Sequence, residues 1–295
     1  MRTPKFLEKF AETVEQAEAL DKPAAALVRL VGKVIRPGPV EDTLSGVPLG
    51  HPLHPLLVAV PIGAWVSAGV LDATGNPEGA RQLTALGVLA AIPTAATGGS
   101  DWLSTEGAEK RVGFVHALAN YTAVGAYGLS WWARSRGNRG LGVVVSLAGA
   151  SALGVAGWLG GHLAYAQGVG VDTTAFQQFP TEWTDVGATA ELPAGGSVAV
   201  VQAAGVPVLV TRRGDSWLAL ADRCTHRGGP LHEGKISNGC IVCPWHASAF
   251  SLDDGTVQRG PATRPQPVLD TRVEDGRLLV RRAESHALRI NPTGI

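Results

Sequence analysis

Charge is scarce in this chain. Asp, Glu, Lys and Arg make up only 17% of its 295 residues, and the 25 acidic and 25 basic ones cancel. The neutral balance argues against a nucleic-acid partner, which would want a basic excess. So little charge, with a positive mean hydropathy, is unusual for a soluble protein. Cysteine is scarcer still: three, an odd number, all between residues 224 and 243. That argues against a secreted disulfide framework and favours a metal or redox role. Residues 1–22 mix acidic and basic side chains with no apolar core, so the start does not read as a signal peptide. There is no Gly-rich strand–turn–helix nucleotide signature, so a reductase using a nicotinamide cofactor would be a separate protein.

Three compositional zones are present. Residues 1–50 form an amphipathic N-terminal helical segment, with Phe6, Phe10, Val14, Ala17 and Leu20 at helical spacing and a second run from Ala24 to Ile35. A pair of surface helices, or helices lying in a membrane interface, would both fit. Residues 51–170 hold four apolar runs, about Leu53–Asp72, Leu83–Ala96, Val112–Trp132 and Leu141–Ala166. Most approach the ~20 residues needed to cross hydrocarbon, and Trp102, Trp131, Trp132 and Trp158 near their ends suit an aromatic belt. A four-helix transmembrane α bundle is expected. Residues 171–182 read as a linker. Residues 183–282 read as a small all-β domain of short Val- and Leu-rich strands, ending in a hairpin that turns at Asp275-Gly276. Residues 283–295 form a C-terminal tail.

Within the β domain stand two motifs, Cys224-Thr-His226-Arg-Gly-Gly-Pro-Leu231 and Cys243-Pro-Trp-His246. Two Cys and two His also suit a mononuclear zinc site, though Cys-x-His twinned with Cys-x-x-His is unusual spacing for zinc. The paired motifs closely resemble the Rieske family, over about residues 183–282 and including a proline-bearing third loop at Gly260-Pro261. That resemblance implies a [2Fe–2S] cluster, with Cys224 and Cys243 on one iron and His226 and His246 on the other. It also implies an electron carrier, and a chain that ends soon after the β domain leaves no room for an oxygenase catalytic domain. Cys240 is the spare thiol and reads as a packing residue.

The cytochrome bc-complex type braces its loops with a disulfide, whose positions here are Gly229 and Trp245. Ser248 matches that type's serine donor to cluster sulfur, but Phe250 replaces its tyrosine. Fewer hydrogen bonds to sulfur imply a potential in the lower half of the range of about −150 to +300 mV. Ala247 stands where ferredoxin-type relatives usually have glycine.

In the bundle, antiparallel crossings put His54, His116 and His162, with His51, at one depth, joined by Asp101. Ionisable groups inside a membrane are costly and often functional. They could hold a b-type haem between two imidazoles, handle the protons of a quinone, or only cap helix ends. Gly50-His-Pro-Leu-His-Pro-Leu, Pro61-Ile-Gly-Ala-Trp65 and Gly160-Gly-His-Leu resemble a bacterial four-helix membrane domain sometimes fused to a Rieske ferredoxin. That resemblance implies architecture and no particular ligand.

Basic residues near the helix ends tie, with Lys33, Arg36, Lys110 and Arg111 against Arg81, Arg134, Arg136 and Arg139. No Arg-Arg pair precedes the helices to mark twin-arginine export, so the β domain is expected in the cytoplasm. The expected function is membrane electron transfer with redox partner proteins, a reductase or an oxygenase. The alternatives are a tethered ferredoxin serving a separate oxygenase, and a redox sensor.

Overall fold

Helices come first and strands second, as two separate units. The computed structural model describes residues 5–193 and 195–283, so the expected tail lies outside the described residues except for Ala283.

Instead of two N-terminal helices there are three, α1 Lys5–Gln16, α2 Asp21–Val34 and α3 Pro39–Ser45. Four long helices follow: α4 His54–Ala73, α5 Pro77–Trp102, α6 Gly107–Ser135 and α7 Arg139–Gly161. The last runs on as a π-helical turn, His162–Ala166. Helix α5 is much longer than the run expected from hydropathy. Asn76 caps its start ahead of that run, and Thr97, just past its end, turns its hydroxyl back onto the Thr94 carbonyl, so polar residues extend it in both directions.

Of the four expected crossings, three meet the length and composition that a crossing requires. Helices α4, α5 and α7 with its extension are long and apolar enough to cross a membrane. Helix α6 falls short because His116, Asn120, Tyr121 and Thr122 interrupt its apolar run.

Outside and inside are reversed relative to a soluble bundle. Leu56, Val66, Leu89, Ile92, Val144 and Leu147 are each 61–66% exposed, while Thr84, Ser100, Ser130 and Arg134 are buried. The buried polar groups are paired, as burial requires. Ser130 donates to the Gly142 carbonyl, and Arg134 grips the Asp72 carboxylate with bonds of 2.8 and 2.6 Å.

The second unit is antiparallel β. Strands β1 Thr184–Ala188, β2 Val198–Ala203, β3 Val206–Arg213, β4 Ser216–Ala221, β9 Val268–Glu274 and β10 Arg277–Arg282 form one sheet in the order β1-β10-β9-β4-β3-β2. Strands β5 Lys235–Ser237, β6 Cys240–Val242, β7 Ala249–Ser251 and β8 Val257–Arg259 form a second in sequence order. Asp275 and Gly276 both take positive φ, as a tight hairpin needs. Alternation fills the first core with Val208, Val210, Leu278 and Val280, and the second with Leu209, Leu220, Ile241 and Phe250. Cys240 does not join them: its neighbour Ile241 points inward, leaving the Cys240 thiol half-buried near the Asn238 carbonyl. Residues 171–182 are bound to this unit. Thr173 bonds the Cys224 and Thr225 carbonyls, and Pro180 accepts from the Arg282 amide.

Candidate metal centre

Two loops carry the site, one between β4 and β5 and the other between β6 and β7. The first closes on itself, Gly228 N donating to Cys224 O at 2.8 Å and Cys224 N to Gly229 O at 2.9 Å. Glycine is needed twice here. Gly228 has φ +76°, and a Cβ on Gly229 would lie 3.0 Å from Cys243 Sγ. In the second loop Cys243 N donates to Ser248 O at 2.8 Å. Ala247 has φ +61°, so the position where relatives carry glycine is a left-handed one. Arg259 holds its carbonyl with two bonds of 3.0 and 2.6 Å.

These turns bring Cys224, His226, Cys243 and His246 together. The two sulfurs share a hydrogen bond, and the imidazoles stand edge to face with centroids 5.1 Å apart. Main-chain amides point at both sulfurs, those of His226 and Arg227 at Cys224 and those of Trp245 and His246 at Cys243. The hydrogen bond from Cys224 holds the Cys243 thiol below its usual range, despite burial. Burial, aided by the positive charge of His246 and Arg227, pushes His226 down to about 3. A thiolate and a neutral imidazole are the forms that bind metal. Both imidazole Nδ1 atoms are buried, and that of His226 meets no hydrogen-bond partner, as an atom meant for a metal would be left. The donor set therefore fits a two-thiolate, two-imidazole iron–sulfur cluster.

Supporting residues were not foreseen. Gln266 is fully buried; its Oε1 accepts from Thr225 N, and its Nε2 donates to the Ala221 and Arg223 carbonyls. Asp222 accepts from His232 N and bonds His232 Nδ1 at 2.7 Å. No sequence signal marks either, because each works through backbone that is distant along the chain. Ser248 is fully buried and its Oγ accepts from Ala262 N at 3.0 Å. Trp245, beside His246, is 56% exposed.

The helical unit separates the four residues expected to act together there. His54 Nδ1 lies 3.0 Å from Thr94 O, and His116 Nδ1 lies 2.8 Å from Ala156 O. The two imidazoles are near enough to act on each other electrostatically. His162 instead bonds Glu15 of α1 at 2.7 Å and stacks on Trp158. The half-buried Asp101 carboxylate makes no hydrogen bond or ion pair among the described residues.

Paired loops of small antiparallel sheets, converging two cysteines on two histidines, define an iron–sulfur electron-transfer domain. Residues 182–274 match the family described as Rieske [2Fe-2S] domain, and residues 50–173 match a family described as predicted membrane protein, DUF2231. The chain is 33% identical to ferredoxin CarAc of Metapseudomonas resinovorans over 33% of its own length and 92% of the ferredoxin's. It is 34% identical to the anthranilate 1,2-dioxygenase ferredoxin subunit of Burkholderia cepacia over 34% of its length and 91% of that subunit's. A third similarity, 44% identity to carotenoid phi-ring synthase of Chlorobaculum tepidum, covers 30% of this chain and only 13% of the synthase. The chain belongs to the Rieske [2Fe–2S] family, with its Rieske domain joined to a DUF2231 domain.

Proposed function

We propose that this chain is a membrane-bound electron-transfer protein. In this reading Cys224, His226, Cys243 and His246 hold a [2Fe–2S] cluster. The helical unit is the anchor and carries a second redox group, a haem or a quinone. The observation that carries the reading is the convergence of two thiols and two imidazoles on facing loops. A bound cluster of this kind accepts and releases one electron at a time. The chain's own residues prepare for that: amides directed at both sulfurs stabilise negative charge there, and the loops keep water from the donor atoms. Exposed Trp245 gives a redox partner protein an aromatic contact beside His246.

An apolar exterior around a hydrogen-bonded polar interior supports the membrane location. The β domain is proposed to face the cytoplasm, which protease protection in right-side-out and inverted vesicles would test. The decisive experiment is EPR and metal analysis on carbonate-washed membranes containing the full chain. A Rieske-type signal and acid-labile sulfide in the pellet are expected. Stoichiometric zinc without sulfide, or a signal found only in the wash, would overturn the reading.

Similarity to ferredoxin CarAc and to the anthranilate dioxygenase ferredoxin subunit, each matched over most of its length, favours a second reading. In it the bundle only tethers a ferredoxin that serves a separate oxygenase. Reduction of the cluster by a quinol in purified protein supports the first reading; reduction by a soluble reductase alone supports the second.

A further inference from the structure

The helical unit is built twice. Asp72 and Arg134, which pair at 2.6 Å, lie 62 residues apart. The same step carries His54 to His116, Trp65 to Tyr127, Gly75-Asn76 to Gly137-Asn138, Gly87 to Gly149 and Gly98-Gly99 to Gly160-Gly161. Contacts repeat with the residues. Asn76 and Asn138 each cap the helix that follows, accepting from Gly79 N and Leu141 N. A Cβ on Gly87 would strike Trp65, and one on Gly149 would press on Tyr127. The carbonyls that meet His54 and His116 each lie 40 residues beyond their histidine. One turn further, Gly98 and Gly160 leave room for the rings, at 2.8 and 3.1 Å from where a Cβ would stand.

Counterparts on α4 and α6 meet one another. Trp65 stacks on Tyr127 with centroids 4.2 Å apart and planes at 4°; Asp72 binds Arg134; His54 and His116 lie near enough to act on each other. Along each helix these three positions stand about three and then two turns apart, on one face. A local twofold axis therefore runs between α4 and α6. The aromatic stack closes its middle and the ion pair closes one end. At the other end stand the two imidazoles.

We infer that His54 and His116 are the axial ligands of one haem b, whose iron lies on this axis. The inference rests on the membrane electron-transfer reading and replaces its choice of haem or quinone with haem. A carbonyl oxygen can only accept, so on both rings Nδ1 carries the proton and Nε2 the lone pair. On His116 that lone pair now accepts from Asn120 Nδ2 at 3.0 Å, a bond that iron would displace. A lone pair binds iron, whereas the carbonyls of a quinone need donors. An Nδ1–H held by a backbone carbonyl is also how ligating imidazoles are oriented. Two Nε2 atoms, one from each half, match the two axial positions of a porphyrin iron. His162, occupied by Glu15, belongs to the docking of α1.

The test uses the full chain, expressed with ample haem precursor and purified in detergent. One haem b per chain is expected by pyridine haemochrome, with the low-spin reduced and oxidised spectra of bis-imidazole ligation. His54→Ala and His116→Ala should each abolish the low-spin spectrum, and His162→Gln should keep it. In case the alanine variants do not fold, His116→Gly is purified with and without imidazole in the buffer, and imidazole should restore the low-spin spectrum. Protein without haem, or low-spin spectra that survive either alanine variant, would overturn the inference. The Rieske EPR signal is followed in the same samples. Its presence without haem leaves the electron-transfer reading standing, and its loss from every sample is a failure of that reading instead.

Discussion

The side-chain amide of Gln266 accepts the backbone N–H of Thr225, the residue between Cys224 and His226, at 3.2 Å. Its other end donates to the Ala221 and Arg223 carbonyls, both at 2.7 Å. One uncharged side chain thus holds the first metal-binding loop to the strand that leads into it.

Gln266→Leu strands three buried backbone groups, each costing about 1–3 kcal/mol when left unsatisfied. The variant should unfold at a clearly lower temperature and lose acid-labile sulfide on storage. Thermal unfolding and sulfide assay of the loaded protein measure both; an unchanged midpoint would show that water replaces the amide without cost.

The redox potential provides a second check. The Oγ of Ser248 accepts from Ala262 N, which leaves its proton for cluster sulfur, and Phe250 offers no hydroxyl. The midpoint should fall in the lower half of about −150 to +300 mV. Ser248→Ala should lower it further: a hydrogen bond worth about 0.5–1.5 kcal/mol corresponds to roughly 20–65 mV for one electron. An EPR-monitored titration that finds no downward shift would remove Ser248 from this role.

Acid sensitivity of the metal-free protein follows from His226, which burial pushes down to about 3. This imidazole is neutral when folded and charged when unfolded below its ordinary 6.5, so the unfolded chain binds more protons there. Stability therefore falls as pH drops through about 6.5 and goes on falling to about 3, by at most about 1.4 kcal/mol per pH unit. Urea midpoints of chelated protein between about pH 7 and pH 4 should show this slope, and His226→Gln should flatten it.

Much of the site was legible in the sequence because the chemistry there leaves few choices. Two thiols and two imidazoles at short spacing, with Gly228 and Gly229 beside them, announce tight metal-binding turns. Asp275-Gly276 announces a hairpin in the same way. Gln266 was illegible, since a lone glutamine in a loop carries no periodicity or motif. Hydropathy stops α5 short at both ends because it does not see the Asn76 cap or Thr97 bonding back onto its own helix. The doubled hairpin was hidden for another reason. Apart from the histidines, its identical positions are mostly Gly, Ala and Asn, common residues that reveal a repeat only once their contacts coincide.

The buried pair between helices is open to a double-mutant cycle. Arg134→Ala leaves the Asp72 carboxylate only its longer contact with Arg139, 3.7 Å away, a loss of up to about 3–5 kcal/mol. Combining Asp72→Leu with Arg134→Met should recover most of it. Unfolding in detergent, followed by helical circular dichroism, would show the single variant far below both the parent and the double variant. Equal losses in the single and double variants would mean that water already reaches the pair.

That pair also distinguishes two halves of common design. A hairpin meeting its own copy would set Asp72 against Asp72, or Arg134 against Arg134, and like charges brought together away from water repel by several kcal/mol. Mixed assembly alone cancels the charge. Neither half can substitute for the other, and each is selective for its unlike sibling.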